Sequence, residues 1–221
     1  MEVHDALRNR RTVRAFLDRP VPRETLEKIL GDALRTPSWA NTQPWEVYVA
    51  GGEVLERIRS AYEARTIAKA PAQPDLPFPG AWPAACRERT KELTTGRALT
   101  RNTTTDDPTF HHGFLMANRR FFGAPCVVYL CMARTLSQWS VFDLGAMCQS
   151  ITLAAQDRGV ESAIAINTVC YPDVLRAELD IPDDELIVIG IALGYVDPSD
   201  PEDSFRSTRR TLAEAVRFKG F

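Results

Sequence analysis

One apolar run, Cys126-Val-Val-Tyr-Leu-Cys-Met132, limits what this chain can fold into more than any other segment. A short run of apolar, β-branched and aromatic residues predicts a strand buried in a protein core. The segment from about 137 to 157 then repeats apolar residues at helical spacing, and Gly159 after it is typical of a helix end. A buried strand followed by an apolar-faced helix indicates a sheet wrapped by helices.

The remaining segments interleave helices and strands. Further strands are predicted at 45–50, 162–166 and 186–194, and further helices at 3–9, 22–34, 53–69, 84–99, 108–121 and after Pro172. Several connections carry more than one helix, unlike a regular βαβ repeat. No G-x-G-x-x-G follows a strand, so a Rossmann dinucleotide site is not expected. The order predicts a central sheet wrapped by helices, and 221 residues fit one domain over 1–221.

Two segments differ in composition from the rest of the chain. Residues 70–83 hold five prolines, and proline removes amide donors and fixes φ, so this segment is predicted to be an irregular strap. It is interpreted either as a linker between helices or as a flap over a pocket, because Phe78 and Trp82 give it apolar side chains. The polar residues 197–221 are interpreted as a C-terminal arm.

Charge and cysteine content narrow the class of protein. The 27 basic and 29 acidic residues nearly cancel, which argues against broad binding to nucleic acids or anionic membranes. No secretory signal and no membrane-spanning run is apparent. The five cysteines form no C-x-x-C pair, which is typical of reduced thiols in a cytoplasmic protein. The adjacent His111 and His112 cannot share a helical face, so no metal site is expected.

Arginines cluster at two distant places in the sequence. Arg10, Arg11 and Arg14 lie within five residues of one another, and Arg206 and Arg209 lie near the other end of the chain. Guanidinium groups match the geometry of a phosphate, so two sets that converge would make a phosphate site. The alternative is that these arginines are solvated surface residues.

A polar loop, residues 36–45, favours a binding site over solvated surface arginines, because its amides and hydroxyls suit a flat heterocycle with many acceptors. The alternative for the loop is that its polar groups only satisfy its own backbone. Its motif P-S-x-x-N-T-Q-P-W follows an early R-R-T-V-R-x-F. Further along the chain come N-R-R-F-F-G-A-P, W-S-V-F-D-L-G, Y-P-D-V-L-R-x-x-L, G-I-A-L-G-Y and a terminal R-S-T-R. In this order, over nearly the whole chain, the motifs resemble those of the FMN-dependent nitroreductase family.

The resemblance implies a nitroreductase-like α+β fold, with a mostly antiparallel sheet and an intertwined homodimer that binds FMN between its subunits. The loop at 36–45 would reach the flavin of the partner, and Ile166 and Asn167 would lie beside flavin N5, where the chemistry occurs, so no side chain is assigned as catalytic. The flavin contacts implied by the resemblance are Arg10, Arg11, Thr12, Arg14, Pro37, Ser38, Trp39, Asn41, Asn118, Ile166, Asn167, Arg206 and Arg209.

Three features of the sequence depart from the family pattern. Trp39 stands where a small residue is common, Ile166 and Asn167 replace more recognisable N5-contacting motifs, and the register of Arg206 and Arg209 is ambiguous. Trp39 could narrow the flavin face or stack on a substrate.

The reaction implied is transfer of two electrons from NADH or NADPH through the flavin to a nitroaromatic or a quinone, in a ping-pong order. A guanidinium near the flavin N1–C2=O edge would stabilise the negative charge that develops there. Candidate walls of the substrate cleft are Trp39, Phe78, Trp82 and Phe122. Two alternatives stay open: reductive dehalogenation or other flavin chemistry on the same fold, and a flavin-binding module without turnover.

Overall fold

A computed structural model describes all residues from Met1 to Phe221. It has four strands, β1 Glu46–Gly51, β2 Cys126–Ala133, β3 Glu161–Ala165 and β4 Glu185–Gly194. Its eight helices are α1 Val3–Asn9, α2 Arg23–Ala33, α3 Gly52–Ile67, α4 Ala84–Thr100, α5 Pro108–Arg119, α6 Gln138–Asp157, α7 Pro172–Leu179 and α8 Leu212–Ala215. None of these helices combines the length and the hydropathy that crossing a bilayer requires.

The four strands form one sheet in the order β1-β2-β4-β3, and all three pairings are antiparallel. The predicted buried strand is β2, which is flanked by β1 on one side and β4 on the other. Tyr129 of β2, for example, lies opposite Tyr48 of β1 and Gly190 of β4. The prediction of an antiparallel sheet wrapped by helices is confirmed.

Successive side chains of a strand point to opposite faces, so β2 contributes to two separate cores. Val127, Tyr129 and Cys131 join a cluster that also contains Leu55 and Ile58 of α3. On the other face, Val128, Leu130 and Met132 pack with Ile151 of α6 and Ile29 of α2. Burial on both faces explains why β2 has no polar position.

The helices lie close to their predicted positions. The predicted long helix is α6, and Gly159 beyond its end takes a positive φ of 67°, which glycine adopts without strain. α3 ends at Ile67 where 69 was expected, because Lys69 already has a φ of 53°. No helix was predicted in the arm, yet it holds the short α8, closed at its start by a capping box between Thr211 and Glu214.

The strap, residues 70–83, has no helix or strand, as expected. Asp75 fastens its first half to the body through Arg176 at 2.8 Å, Arg134 at 3.1 Å and the backbone N–H of Ile187 at 2.8 Å. These bonds hold the pKa of the Asp75 carboxyl low, against the opposing effect of burial. The strap is therefore anchored at its start, and its aromatic side chains come later.

Candidate functional site

The arginine-rich turn runs along the free edge of the sheet. Thr12 forms a parallel bridge with Ser162 of β3, and the N–H of Val13 donates to the Ser162 carbonyl at 3.0 Å. On the outer face of this edge, Ile164 is 40% exposed and Ile166 is 44% exposed. An apolar surface of this kind beside arginines suits a flat ring that carries a phosphate tail.

The C-terminal arm folds back onto the same edge. Arg11 donates to the Asp203 carbonyl at 2.5 Å and pairs with its carboxylate, and Arg206 donates to the same carbonyl at 2.6 Å. Burial lowers the pKa of Arg10, and the like charge of Arg209 lowers it further. The two arginine sets, predicted from opposite ends of the chain, are therefore neighbours.

Glu161, at the start of β3, is a member of this group that the sequence did not reveal. Its Oε2 is buried without a hydrogen-bond partner. Burial raises the pKa of this carboxyl, while the charges of Arg11, Arg206 and Arg10 act in the opposite direction. Nothing in the local sequence marks Glu161, because a charged residue at the edge of a strand is ordinarily solvated.

Arg14, three residues after Arg11, lines a cavity of about 500 Å³. Burial lowers the pKa of its guanidinium to about 10, and repulsion from Arg97 adds to this, whereas Glu202 opposes it. The guanidinium makes no ion pair within 4.0 Å. The cavity walls come from α4, α5, the loop between them and the 3₁₀ turn Phe121–Gly123.

One face of α5 forms the apolar side of this cavity. Phe110, Gly113, Phe114 and Ala117 recur at three- and four-residue spacing, and Phe122 completes the wall. That spacing could have identified the face from the sequence, whereas its position opposite Arg14 could not.

A buried ion pair closes the polar side of the cavity. Arg97 of α4 meets Glu202 of the arm at 2.7 Å, with side chains only 6% and 8% exposed, and Arg101 reaches the same carboxylate at 2.8 Å. Burial raises the pKa of Glu202, but hydrogen bonds from the two arginines hold it below its usual value. This ion pair was not predicted, because its members are 105 residues apart.

Asn118 and Asn167, both predicted flavin contacts, touch each other. The Nδ2 of Asn167 donates to Oδ1 of Asn118 at 3.1 Å, and Nδ2 of Asn118 donates to the Phe114 carbonyl at 2.7 Å. Arg119 approaches the Asn167 carbonyl at 3.4 Å. The hydrogen bonds of the two side-chain amides therefore hold the turn Ile166–Val169 in place, directly after the last residue of β3.

Thr168, in the same turn, faces inward. Its hydroxyl donates to the Ala165 carbonyl at 2.6 Å, and the residue is fully buried. It packs against Gly190 of β4 so closely that a Cβ there would overlap the hydroxyl. Thr168 therefore presents no hydroxyl to the outer face of β3.

The predicted partner-facing loop lies against α6 instead of the arginines. The N–H of Trp39 donates to Asp143 Oδ2 at 3.2 Å, and Ser38 accepts from the N–H of Gln43 at 2.8 Å. The Trp39 side chain is 70% exposed, and Pro37 and Asn41 are also exposed. Within one chain, the structure does not bring this loop to the arginine edge.

The four predicted cleft aromatics are not brought together in one chain. Phe122 lines the 500 Å³ cavity beside Arg14. Trp82 lines a second cavity of about 340 Å³, against the first half of α4. Phe78 and Trp39 line neither cavity.

FMN, implied by the resemblance, can be tested against these charges. Arg10 and Arg209 repel each other, and a phosphate dianion would balance the excess positive charge at this edge. Arg14 is a desolvated cation that could face the N1–C2=O edge of a flavin. The exposed Ile164 and Ile166 could contact the flat ring. The residues present fit FMN.

Comparison with known proteins gives a consistent result. Residues 7–195 match the Nitroreductase family. The chain is 36% identical to a nitrobenzene nitroreductase of Ectopseudomonas oleovorans over 98% of its length and 96% of the other, and 35% identical to a chloronitrobenzene nitroreductase of Comamonas testosteroni, with the same coverage. A crystal structure of the FMN and NADPH-dependent nitroreductase NfnB from Sphigopyxis sp. strain HMH matches at a TM-score of 0.95 and 30% identity, covering 100% of both chains.

Proposed function

The chain belongs to the nitroreductase family, and from that premise we propose that it is an FMN-dependent oxidoreductase that transfers two electrons from NADPH to a flat nitroaromatic compound. When bound, FMN supplies the atom that accepts and returns the electrons. The observation that carries the proposal is Arg14, a desolvated cation facing a cavity walled by Phe122 and one side of α5.

The protein residues have three tasks in this proposal. Arg10, Arg11 and Thr12 hold the phosphate end together with the arm, whose contributions are Arg206 and Arg209. Arg14 and Asn118 hold the pyrimidine side, and Ile166 and Asn167 lie beside N5. The chain then supplies binding, orientation and a fixed positive charge in a site shielded from water.

We propose that the active unit is a homodimer in which Pro37, Ser38, Trp39 and Asn41 complete the flavin site of the partner. The support is that, within one chain, this loop lies against α6 and away from the arginines. Trp39, Trp139 and Phe142 are all strongly exposed on or beside α6, and contiguous exposed apolar side chains are typical of protein–protein contact surfaces.

Sedimentation should therefore give twice the chain mass of 24.7 kDa. Trp139→Glu should weaken the dimer, since it places a charge in an apolar contact, whereas Arg23→Glu, on an exposed face of α2, should not. A monomer that retains flavin at micromolar concentration would contradict this proposal.

Among the alternatives, reductive dehalogenation has less support. One-electron chemistry would benefit from a hydroxyl donated toward N5, and the nearby Thr168 is buried with its hydroxyl already bonded to Ala165. The flavin-binding module without turnover differs in its prediction that neither NADH nor NADPH reduces the bound flavin. We further propose a cytoplasmic location, supported by five cysteines that are all free thiols.

The test is an anaerobic absorbance spectrum of the purified protein. A flavin spectrum is expected that bleaches with NADPH and recovers when nitrobenzene or 4-nitrobenzoate is added. Bleaching without recovery would exclude these nitro compounds as acceptors and keep the flavoenzyme. A protein that, produced with adequate riboflavin, is colourless and binds no added FMN would refute the proposal.

A further inference from the structure

The second cavity, of about 340 Å³, is a pocket open to solvent, and its lining differs in chemistry from the edge of β3 where the arginines meet. It is lined by Trp82 at the end of the strap, by Arg87, Thr90, Lys91 and Thr94 of α4, and by Thr105. The two cations have no carboxylate partner within 4.0 Å, although the chain carries many such pairs elsewhere. Two unpaired cations beside an indole are suited to an anion that carries a flat ring.

Hydrogen bonds fix this wall. The guanidinium of Arg87 donates to the Trp82 carbonyl at 2.7 Å, which ties the strap to α4. The hydroxyls of Thr90 and Thr94 donate to backbone carbonyls within α4, at 2.9 Å and 2.8 Å. Their oxygens can therefore still accept hydrogen bonds, for instance from ribose hydroxyls or an adenine amino group. Glu88 and Glu92 are the nearest carboxylates in sequence, and Glu92 accepts from Thr208 of the arm at 3.0 Å.

The position of this cavity links it to the larger one. Its α4 residues, 87–94, continue at three- and four-residue spacing into Arg97 and Arg101, which line the 500 Å³ cavity. The centres of the two stretches are eight to nine residues apart, roughly 13 Å at a rise of 1.5 Å per residue. One face of α4 therefore connects an aromatic, cationic recess to the cavity that holds Arg14 and Phe122.

We propose that this recess, defined by Trp82, Arg87 and Lys91, binds the adenosine 2′-phosphate end of NADPH. The indole stacks on the adenine, the two cations hold the 2′-phosphate, and the dinucleotide extends along α4 so that its nicotinamide enters the larger cavity. This inference rests on the proposed function and extends it, because it makes the recess the element that distinguishes NADPH from NADH.

Calorimetry on the holoenzyme tests this with 2′,5′-ADP and 5′-AMP, which differ only in the 2′-phosphate. The wild type should bind 2′,5′-ADP more tightly, and Arg87→Ala and Lys91→Ala should each weaken that binding about tenfold, the value of one charge-assisted hydrogen bond. The double variant should bind the two nucleotides alike and lose most of its preference for NADPH over NADH in kcat/KM. Trp82→Ala should weaken both nucleotides, and Trp82→Phe less so.

Arg89→Ala is the matched control, because Arg89 has the same charge on the opposite side of α4. The proposal is overturned if the wild type does not distinguish the two nucleotides, or if Arg89→Ala weakens 2′,5′-ADP as much as Arg87→Ala does. Failure of the proposed function is a separate result, namely a flavin that no nicotinamide nucleotide reduces, and the calorimetry can be read in either case.

Discussion

Glu202→Ala is expected to lower the free energy of unfolding by about 3 kcal/mol, the range for breaking a buried ion pair by removing one partner. The reason is that Arg97, itself buried, would lose its carboxylate partner, and Arg101 would lose one of its two carboxylate partners. Arg14 would also lose the carboxylate charge that favours its protonated form. Equilibrium unfolding in urea, with Glu202→Ala compared with wild type, measures the difference.

Glu27→Ala is the matched control, because Glu27 pairs with Arg23 on an exposed face of α2. Its cost should stay within about 0.5 kcal/mol, the value of a solvated pair. Because the pKa of Glu202 is lowered in the fold, its contribution is present above the ordinary pKa of 4.5 and is lost as pH falls through the folded value. The difference between wild type and Glu202→Ala should therefore shrink as pH falls below 4.5. Equal costs for Glu202→Ala and Glu27→Ala would contradict the assignment.

Arg14→Ala is expected to slow reduction of the bound flavin by NADPH about 100-fold, the typical loss when one preorganised charge is removed from a water-poor site. Arg14→Lys should recover part of the rate, since it keeps the charge and loses the planar fork. The measurement is anaerobic stopped-flow absorbance on protein that has been saturated with FMN, which separates reduction from flavin loss.

Arg209→Ala gives the complementary result. It removes a cation beside Arg10, at the end of the site proposed to hold the phosphate, so it should weaken FMN binding about tenfold while the saturated protein is reduced at nearly the normal rate. Arg8→Ala, on the exposed α1, serves as a control for loss of positive charge and should change neither quantity. If Arg14→Ala and Arg209→Ala both retain normal flavin affinity and reduction, the arginines have been assigned to the wrong groups.

The elements of the fold were predictable because their signals are local. The apolar run at β2, the helical spacing of α6 and Gly159 after it each depend on a few neighbouring residues. Differences were confined to the ends of helices and strands and to the short α8 in the arm. Lys69 took a positive φ without any glycine to indicate it, and the capping box at Thr211 starts a helix of only four residues.

The candidate site was predictable only in part. The sequence identified Arg10, Arg14 and Arg209 by residue type and motif, yet it gave no measure of which would be solvated and which buried. Arg14 became a desolvated cation only because α4, α5 and the arm enclose it. Trp82 was expected in the same cleft as Phe122, and the fold placed it at a different cavity.

By itself, the sequence determined the family, the order of helices and strands, and the residue types that could hold a phosphate and a flat ring, because motifs and periodicity are properties of short segments. Only the tertiary structure decided that both ends of the chain meet at the edge of β3, that Arg97 pairs with Glu202 across 105 residues, and that the Thr168 hydroxyl turns inward. Those outcomes depend on burial and on long-range contacts. The same arginine is a solvated surface group or a buried charge according to what packs around it, and local sequence does not record that packing.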